Sequence, residues 1–186
     1  MLAPGRGFGA HPHSDMEIVS IVLDGQIRHE DNMGNRVVSS FGEVQRMSAG
    51  SGVIHTEFNA SDETELRLLQ LWFMPKERGV EPSYEASSYD IARLDNALLP
   101  IVSDQELERT ARIGQNLTIY LSRLEQGREL SHTVDKDRKV FLFMIAGSLE
   151  VLGRTLSAGD TAHVEQVSGL TLTAAESSFF MLIDLP

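Results

Sequence analysis

The 186 residues allow one large domain or two of about 90 residues each, long enough to bury a core without cross-links. With 16 Lys+Arg against 27 Asp+Glu the net charge is −11 and no basic block offsets it, which argues against a phosphate-neutralising groove and against direct nucleic-acid binding. There is no cysteine, so disulfides, thiol nucleophiles and Cys-based metal sites are excluded and any metal must rest on His, Asp or Glu.

In chain order, residues 11–75 read as short β-type runs separated by Gly and turn residues: 16–23, 26–30, 36–38, 43–47, 53–58 and 66–74. Asp24-Gly25 has the chemistry of a tight hairpin turn, and residues 31–35 predict a second, longer one, so both should join antiparallel neighbours. Residues 76–112 differ: they carry Pro82 and Pro100, and 103–112 has helix character with Ser103 as N-cap and Glu106 at the capping-box position. From 117 the β pattern resumes at 117–124, 140–145, 148–152, 161–165, 170–174 and 179–183. The punctuation repeats as well. Leu23-Asp24-Gly25 is followed by Phe41-Gly42-Glu43, and Ile145-Ala146-Gly147 by Ala158-Gly159-Asp160, which predicts an internal duplication of a β-barrel. The expected organisation is therefore a first barrel over 1–85, a linker with a short helix over 86–112, and a second barrel over 113–186. No apolar run approaches the roughly 18 residues of a membrane span, and the N-terminus lacks a signal-peptide core, so a cytoplasmic protein is expected.

Chemistry concentrates in His11-Pro12-His13 and His55-Thr56-Glu57. On a strand, residues i and i+2 face the same way, so each pair aims two ligand groups into one side. Two such strands facing each other make a cage of three imidazoles and one carboxylate, suited to iron, manganese, nickel, copper or zinc, with open positions if the ion is octahedral. Glu17 shares the parity of His11 and His13. It is either a fifth ligand or, the favoured reading, an acceptor for the second ring nitrogen of a ligand histidine. His29, among charged residues beside a turn, is expected to be solvated, and His132 and His163 are expected to be structural. Gly5, Gly7 and Gly9 lack the spacing and the following helix of a nucleotide loop.

These residues resemble the cupin superfamily. Gly5, His11, His13 and Glu17 follow its first motif, with Gly25 one residue late. Gly42, Gly50, His55 and Asn59 follow the second more loosely, with Ser48 where proline is usual and two extra residues before the histidine. His-Pro-His, the run from Met47 to Glu57 and Leu69-Gln70-Leu71-Trp72 resemble the pirin version specifically. That resemblance implies an all-β fold of two tandem cupin-type jelly-roll barrels, the second without metal ligands. It implies His11, His13, His55 and Glu57 as ligands of one divalent metal, Fe(II) before Zn, Mn, Ni or Cu, and Glu57 as the catalytic acceptor of a substrate proton. The implied activity is of the quercetin 2,3-dioxygenase type, on a small aromatic substrate and O2. A non-catalytic regulatory module that binds a protein partner, and another metal-assisted cupin reaction such as isomerisation, are the alternatives. Pirins carry further strands before the His-Pro-His motif, whereas ten residues precede His11 here. The first barrel is thus open to being incomplete, with an exposed sheet edge or a strand borrowed from a second copy.

Overall fold

A computed structural model describes residues 1–186. Two compact units are present: unit 1 comprises Met1–Tyr89 and Asp104–Gln115, and unit 2 comprises Asp90–Ser103 and Asn116–Pro186. Unit 1 begins with β1 (Gly7–His13), β2 (Glu17–Asp24), β3 (Gln26–Asp31), β4 (Arg36–Ser40), β5 (Glu43–Ser48), β6 (Val53–Asn59), β7 (Arg67–Phe73) and β8 (Ser83–Ser88). The chain continues through β9 (Leu99–Ser103) in unit 2 and the short β10 (Ala111–Arg112) in unit 1. The remaining strands, all in unit 2, are β11 (Thr118–Leu124), β12 (Glu129–Thr133), β13 (Lys139–Ala146), β14 (Ser148–Val151), β15 (Arg154–Ser157), β16 (Thr161–Val164), β17 (Gly169–Ala174) and β18 (Ser178–Leu185).

Unit 1 consists of one sheet in the order β1-β6-β3-β4 and a second in the order β7-β2-β5-β8; unit 2 has β12-β17-β14-β15 and, within the unit, β9-β11-β18-β13-β16. Named pairings are antiparallel throughout. The two units repeat one plan. In each, a strand with a bulge (between Val22 and Asp24, or between Met144 and Ala146) leads into a glycine at positive φ, Gly25 at 78° and Gly147 at 72°. The expected duplication is therefore visible as shared topology and a shared irregularity.

Two local expectations fail. Asp24-Gly25 does not close a hairpin, because β2 pairs with β5 and β7 whereas β3 pairs with β4 and β6. The glycine instead turns the chain from one sheet into the other, and a Cβ there would lie 2.6 Å from the Glu65 carbonyl oxygen. The turn at residues 31–35 does close a hairpin, β3 to β4, with Asp31 Oδ1 accepting from the amides of Met33 and Asn35. The helix expected over 103–112 is also missing. Ser103 is the buried end of β9, its hydroxyl 2.9 Å from that of Thr118, and the segment has no apolar stripe with which to bury a helix face. The one helical turn is a 3-10 turn at Ile91–Leu94, capped by Asp90.

The interiors differ. Unit 2 holds one apolar cluster that includes Leu124, Val140, Leu142, Met144, Phe180 and Leu182. In unit 1, Ile18/Met47/Ala49/Val53 and Val22/Ile27/Leu66 form smaller clusters. Ile18, Ser20 and Val22 share one face of β2, so Ser20 falls between the two clusters, and buried polar residues gather there.

Candidate metal centre

The site is built on β1 and β6. Their register sets His11 directly opposite His55, and a shift between Phe8 and His11 aims the His-Pro-His segment at that point. The ring nitrogens of His11, His13 and His55 converge within 4.8 Å of one another. His11 and His13 are half-buried, and His55 is buried. His11 Nδ1 lies 2.7 Å from the Gly9 carbonyl, which can only accept, so the proton sits on Nδ1 and the Nε2 lone pair faces inward. That Nε2 is 3.0 Å from His55 Nε2. Imidazole ligands at about 2.0–2.1 Å from one ion, at tetrahedral or octahedral angles, stand about 2.8–3.4 Å apart, so the pair fits a shared cation.

Glu57 is placed differently from the expectation of a single four-group cage. It shares the inward face of β6 with His55, but its carboxylate groups with His55 and His29 and not with His11 and His13. Gln70 Nε2 donates to Oε2 at 2.7 Å and Ser20 Oγ to Oε1 at 3.4 Å. Trp72 Nε1 in turn donates to Gln70 Oε1, which orients the amide so that its NH2 end meets Glu57. Both Trp72 and Phe8 expose more than half their surface, Trp72 edge-on to His13 at 5.1 Å and Phe8 edge-on to His11 at 6.3 Å. A depression of about 360 Å³, lined by Pro12, His13, Ser14, Asn32, Val53 and Ile54 among others, opens beside His13.

Neither Glu17 nor His29 occupies the place foreseen for it. Chain direction changes between β1 and β2, with Asp15 at φ 48°, so the parity argument does not carry from His13 to Glu17. Glu17 accepts from Ser48 Oγ and the Gly114 amide and lines a separate cavity of about 510 Å³ with Arg46, Ser48, Glu85 and Arg112, on the face of β2 opposite Ile18 and Ser20. His29 is not solvated. It is 2% exposed, its Nε2 bonded to Asp31 Oδ2 at 3.0 Å, its Nδ1 3.3 Å from His55 Nδ1, and its ring stacked on Tyr84. The signal was available: His29 and Asp31 are i and i+2 on β3, which pairs with β6 through His29–Glu57 and Asp31–His55. A polar void of about 10 Å³, room for about one water, borders His29, His55, Glu57, Gln45 and Tyr84. In unit 2, His132 donates to Asp184, which also takes Arg138 Nε, a structural polar cluster. Burial opposes the Asp184 charge, but the bonds from His132 and Arg138 pull its pKa below the usual range.

Burial, and then the proximity of His29, His11 and His13, lower the His55 pKa from 6.5 to about 3, with Asp31 acting the other way; burial and His11 also lower that of His13. Both are therefore neutral near pH 7, the form a metal needs. In the metal-free protein, stability should fall as pH drops from about 6.5 toward 3. The unfolded chain takes up a proton at residue 55 near 6.5 that the folded chain refuses until about 3, so acid favours unfolding across that window. Denaturation midpoints measured through it should fall more steeply for wild type than for His55→Gln.

Aligning Gly25 with Gly147 and following the pairings shows what the duplicate has in place of these groups. The counterparts of His11, His13, His55 and Glu57 are His132, Val134, Leu170 and Leu172, and those of Ser20 and Gln70 are Leu142 and Leu182. Apart from His132, which pairs with Asp184, unit 2 thus fills the corresponding positions with hydrocarbon.

Two jelly-roll units, one with a histidine cluster inside its barrel and one without, define a bicupin. Residues 1–73 match the family model described as Pirin, and residues 100–185 that described as Quercetinase C-terminal cupin domain. The chain is 33% identical over 186 residues to a quercetin 2,3-dioxygenase of Escherichia coli K12, covering 100% of this chain and 79% of that protein. It is 36% identical to a pirin-like protein of Caulobacter vibrioides, covering 98% and 79%. Among solved structures, YhhW from Escherichia coli superposes with a TM-score of 0.94 at 33% identity, covering 98% of this chain and 77% of that one. The nickel(II) complex of that bacterial pirin gives 0.92 at 32% identity, covering 99% and 78%. The chain belongs to the pirin family. No helix is long and apolar enough to cross a membrane.

Proposed function

We infer that the chain is a metal-dependent dioxygenase of the quercetin 2,3-dioxygenase type, in which His11, His13, His55 and Glu57 hold one divalent cation, Fe(II) in the working enzyme. The observation that carries this reading is the convergence of three histidines, two of them with Nε2 atoms 3.0 Å apart and one of those with its other nitrogen committed to a backbone carbonyl. Two ring nitrogens so placed need a proton or a cation between them, and the His11 lone pair is already turned toward that point.

Such an ion supplies Lewis acidity, which lowers the pKa of a coordinated hydroxyl, and redox chemistry toward dioxygen. The chain's residues do the rest. His55 and Glu57, both buried, keep bulk water from the inner side of the centre. Glu57 Oε1 is the more weakly engaged carboxylate oxygen, bonded only by Ser20 at 3.4 Å, and it is the atom that takes the flavonol 3-hydroxyl proton. Gln70 holds the other oxygen and so fixes the direction from which that proton arrives. Phe8 and Trp72 flank the histidines with exposed aromatic surface on which a planar substrate ring can rest.

The test is oxygen consumption and carbon monoxide release by the Fe(II)-loaded protein with quercetin under air. Turnover that depends on added iron supports the reading. Stoichiometric iron binding without oxygen uptake would overturn it for this chain.

A further inference from the structure

We propose that His29, anchored by Asp31, is a positioning residue that fixes the tautomer of His55 and thereby presents the His55 Nε2 lone pair to the metal. This role deepens the metal assignment above and rests on it for its consequence.

The chain of bonds has one direction. Asp31 is fully used as an acceptor: Oδ1 receives the backbone amides of Met33 and Asn35, and Oδ2 receives Asn35 Nδ2 at 2.8 Å and His29 Nε2 at 3.0 Å. Burial works against its charge, but the bonds from His29 and Asn35 hold its pKa below the usual range, so it remains a carboxylate. Nε2 is the nitrogen that faces that carboxylate and so donates to it, and Nδ1 is the one left to accept. The group 3.3 Å from that acceptor is His55 Nδ1, which must then be the donor. With its proton on Nδ1, His55 has a bare Nε2, 3.0 Å from the bare Nε2 of His11. The Gly9 carbonyl does for His11 what His29 does for His55.

Without the His29 acceptor, the cheaper arrangement of the neutral pair is a proton on His55 Nε2 donated to His11 Nε2. The two ligands would then bond to each other, and a metal would have to displace that bond. Tyr84 prevents such a loss by stacking on His29 with centroids 4.4 Å apart and planes at 19°, which holds the ring in the required plane. The duplicate barrel supports the assignment. By the same spacing from Gly147, the counterparts of His29 and Asp31 are Val151 and Gly153, and there the counterpart of His55 is Leu170. The buried histidine and its carboxylate occur in the unit that has a histidine to orient.

Two measurements test this, with His29→Leu and His29→Asn as variants. Asparagine places Oδ1 near the position of Nδ1 and can still accept from His55, whereas leucine fills the space without an acceptor. First, histidine 15N spectra of the metal-free protein at pH 8 should show His55 protonated on Nδ1 in wild type and in His29→Asn, and on Nε2 in His29→Leu. Second, calorimetric titration with Zn2+ should show one site in wild type, weakened about 10–100-fold in His29→Leu and largely restored in His29→Asn. Thermal melts of each variant establish that it is folded. Wild-type His55 protonated on Nε2, or equal Zn2+ affinity in the leucine variant, would overturn the proposal. So would two Zn2+ sites of which His29→Leu removes one, because His29 would then be a ligand itself. If wild type binds no Zn2+, the metal reading fails, and the spectra alone decide the role of His29.

Discussion

His55→Ala is expected to leave a folded protein that no longer binds a divalent cation stoichiometrically and no longer consumes oxygen with quercetin. His55 is the one group that belongs to both clusters of potential ligands, with His11 and His13 on one side and with His29 and Glu57 on the other. Its removal leaves two half-buried imidazoles on one strand and the Glu57 carboxylate on another, a donor set too sparse to hold an ion against water. The loss should exceed the roughly 10–100-fold that follows from changing an outer-shell partner. Folding should survive, because the substitution removes a buried ring that burial already holds neutral and relieves the conflict between two lone pairs. His163→Ala is the control. That side chain is exposed on β16 in unit 2, and its replacement should change neither metal binding nor turnover. Retained stoichiometric binding in His55→Ala would remove β6 from the centre.

The second large effect is expected from Gly147→Ala, measured by denaturant unfolding of unit 2. Gly147 adopts φ 72°, and an alanine Cβ would lie 2.2 Å from the Ser177 carbonyl oxygen and 2.8 Å from Ser178 Cα, both backbone atoms with little freedom to move. A left-handed conformation costs a residue with a Cβ about 1–2 kcal/mol, and forced overpacking adds about 1–3 kcal/mol, so a loss of about 2–5 kcal/mol is expected. Gly153→Ala separates the two contributions. Its φ is 71°, but an added Cβ meets nothing within 4 Å, so only the conformational part should appear. Equal losses at the two positions would mean that the corner between β13 and β14 yields and that the close approach does not constrain it.

Much of this architecture is legible in the sequence because strands write themselves as short apolar runs with turns between them, and because the two glycine corners repeat. His11 with His13 and His55 with Glu57 were identifiable for the same reason: alternation on a strand is a local rule, and each pair lies within one strand. What was not legible depends on pairing between strands. His29 looked solvated because its sequence neighbours are charged, yet β3 lies in the middle of its sheet, where the inward face is buried whatever flanks it in the chain. Glu17 was misplaced because parity was carried through a bend at residues 14–16, where it has no meaning. Asp24-Gly25 has hairpin chemistry but serves as a corner between sheets, and the choice between the two depends on Glu65 and Leu66, 40 residues away. Residues 103–112 satisfy the local rules for a helix start while lacking any face to bury, and local capping cannot replace packing.

The repeated barrel also makes the chain an internal comparison between working order and durability. Where unit 2 places Leu142, Leu170, Leu172, Leu182 and Val151, unit 1 places Ser20, His55, Glu57, Gln70 and His29, exchanging hydrocarbon for groups that must each find a partner in the dark of the core. At these five positions unit 1 has thus forgone the apolar contact that its twin retains, and the strands around its centre are the natural place for early opening. Amide hydrogens of β6 and β3 should therefore exchange sooner than those of β17 and β14, and a bound ion should close most of that gap by tying β1 to β6.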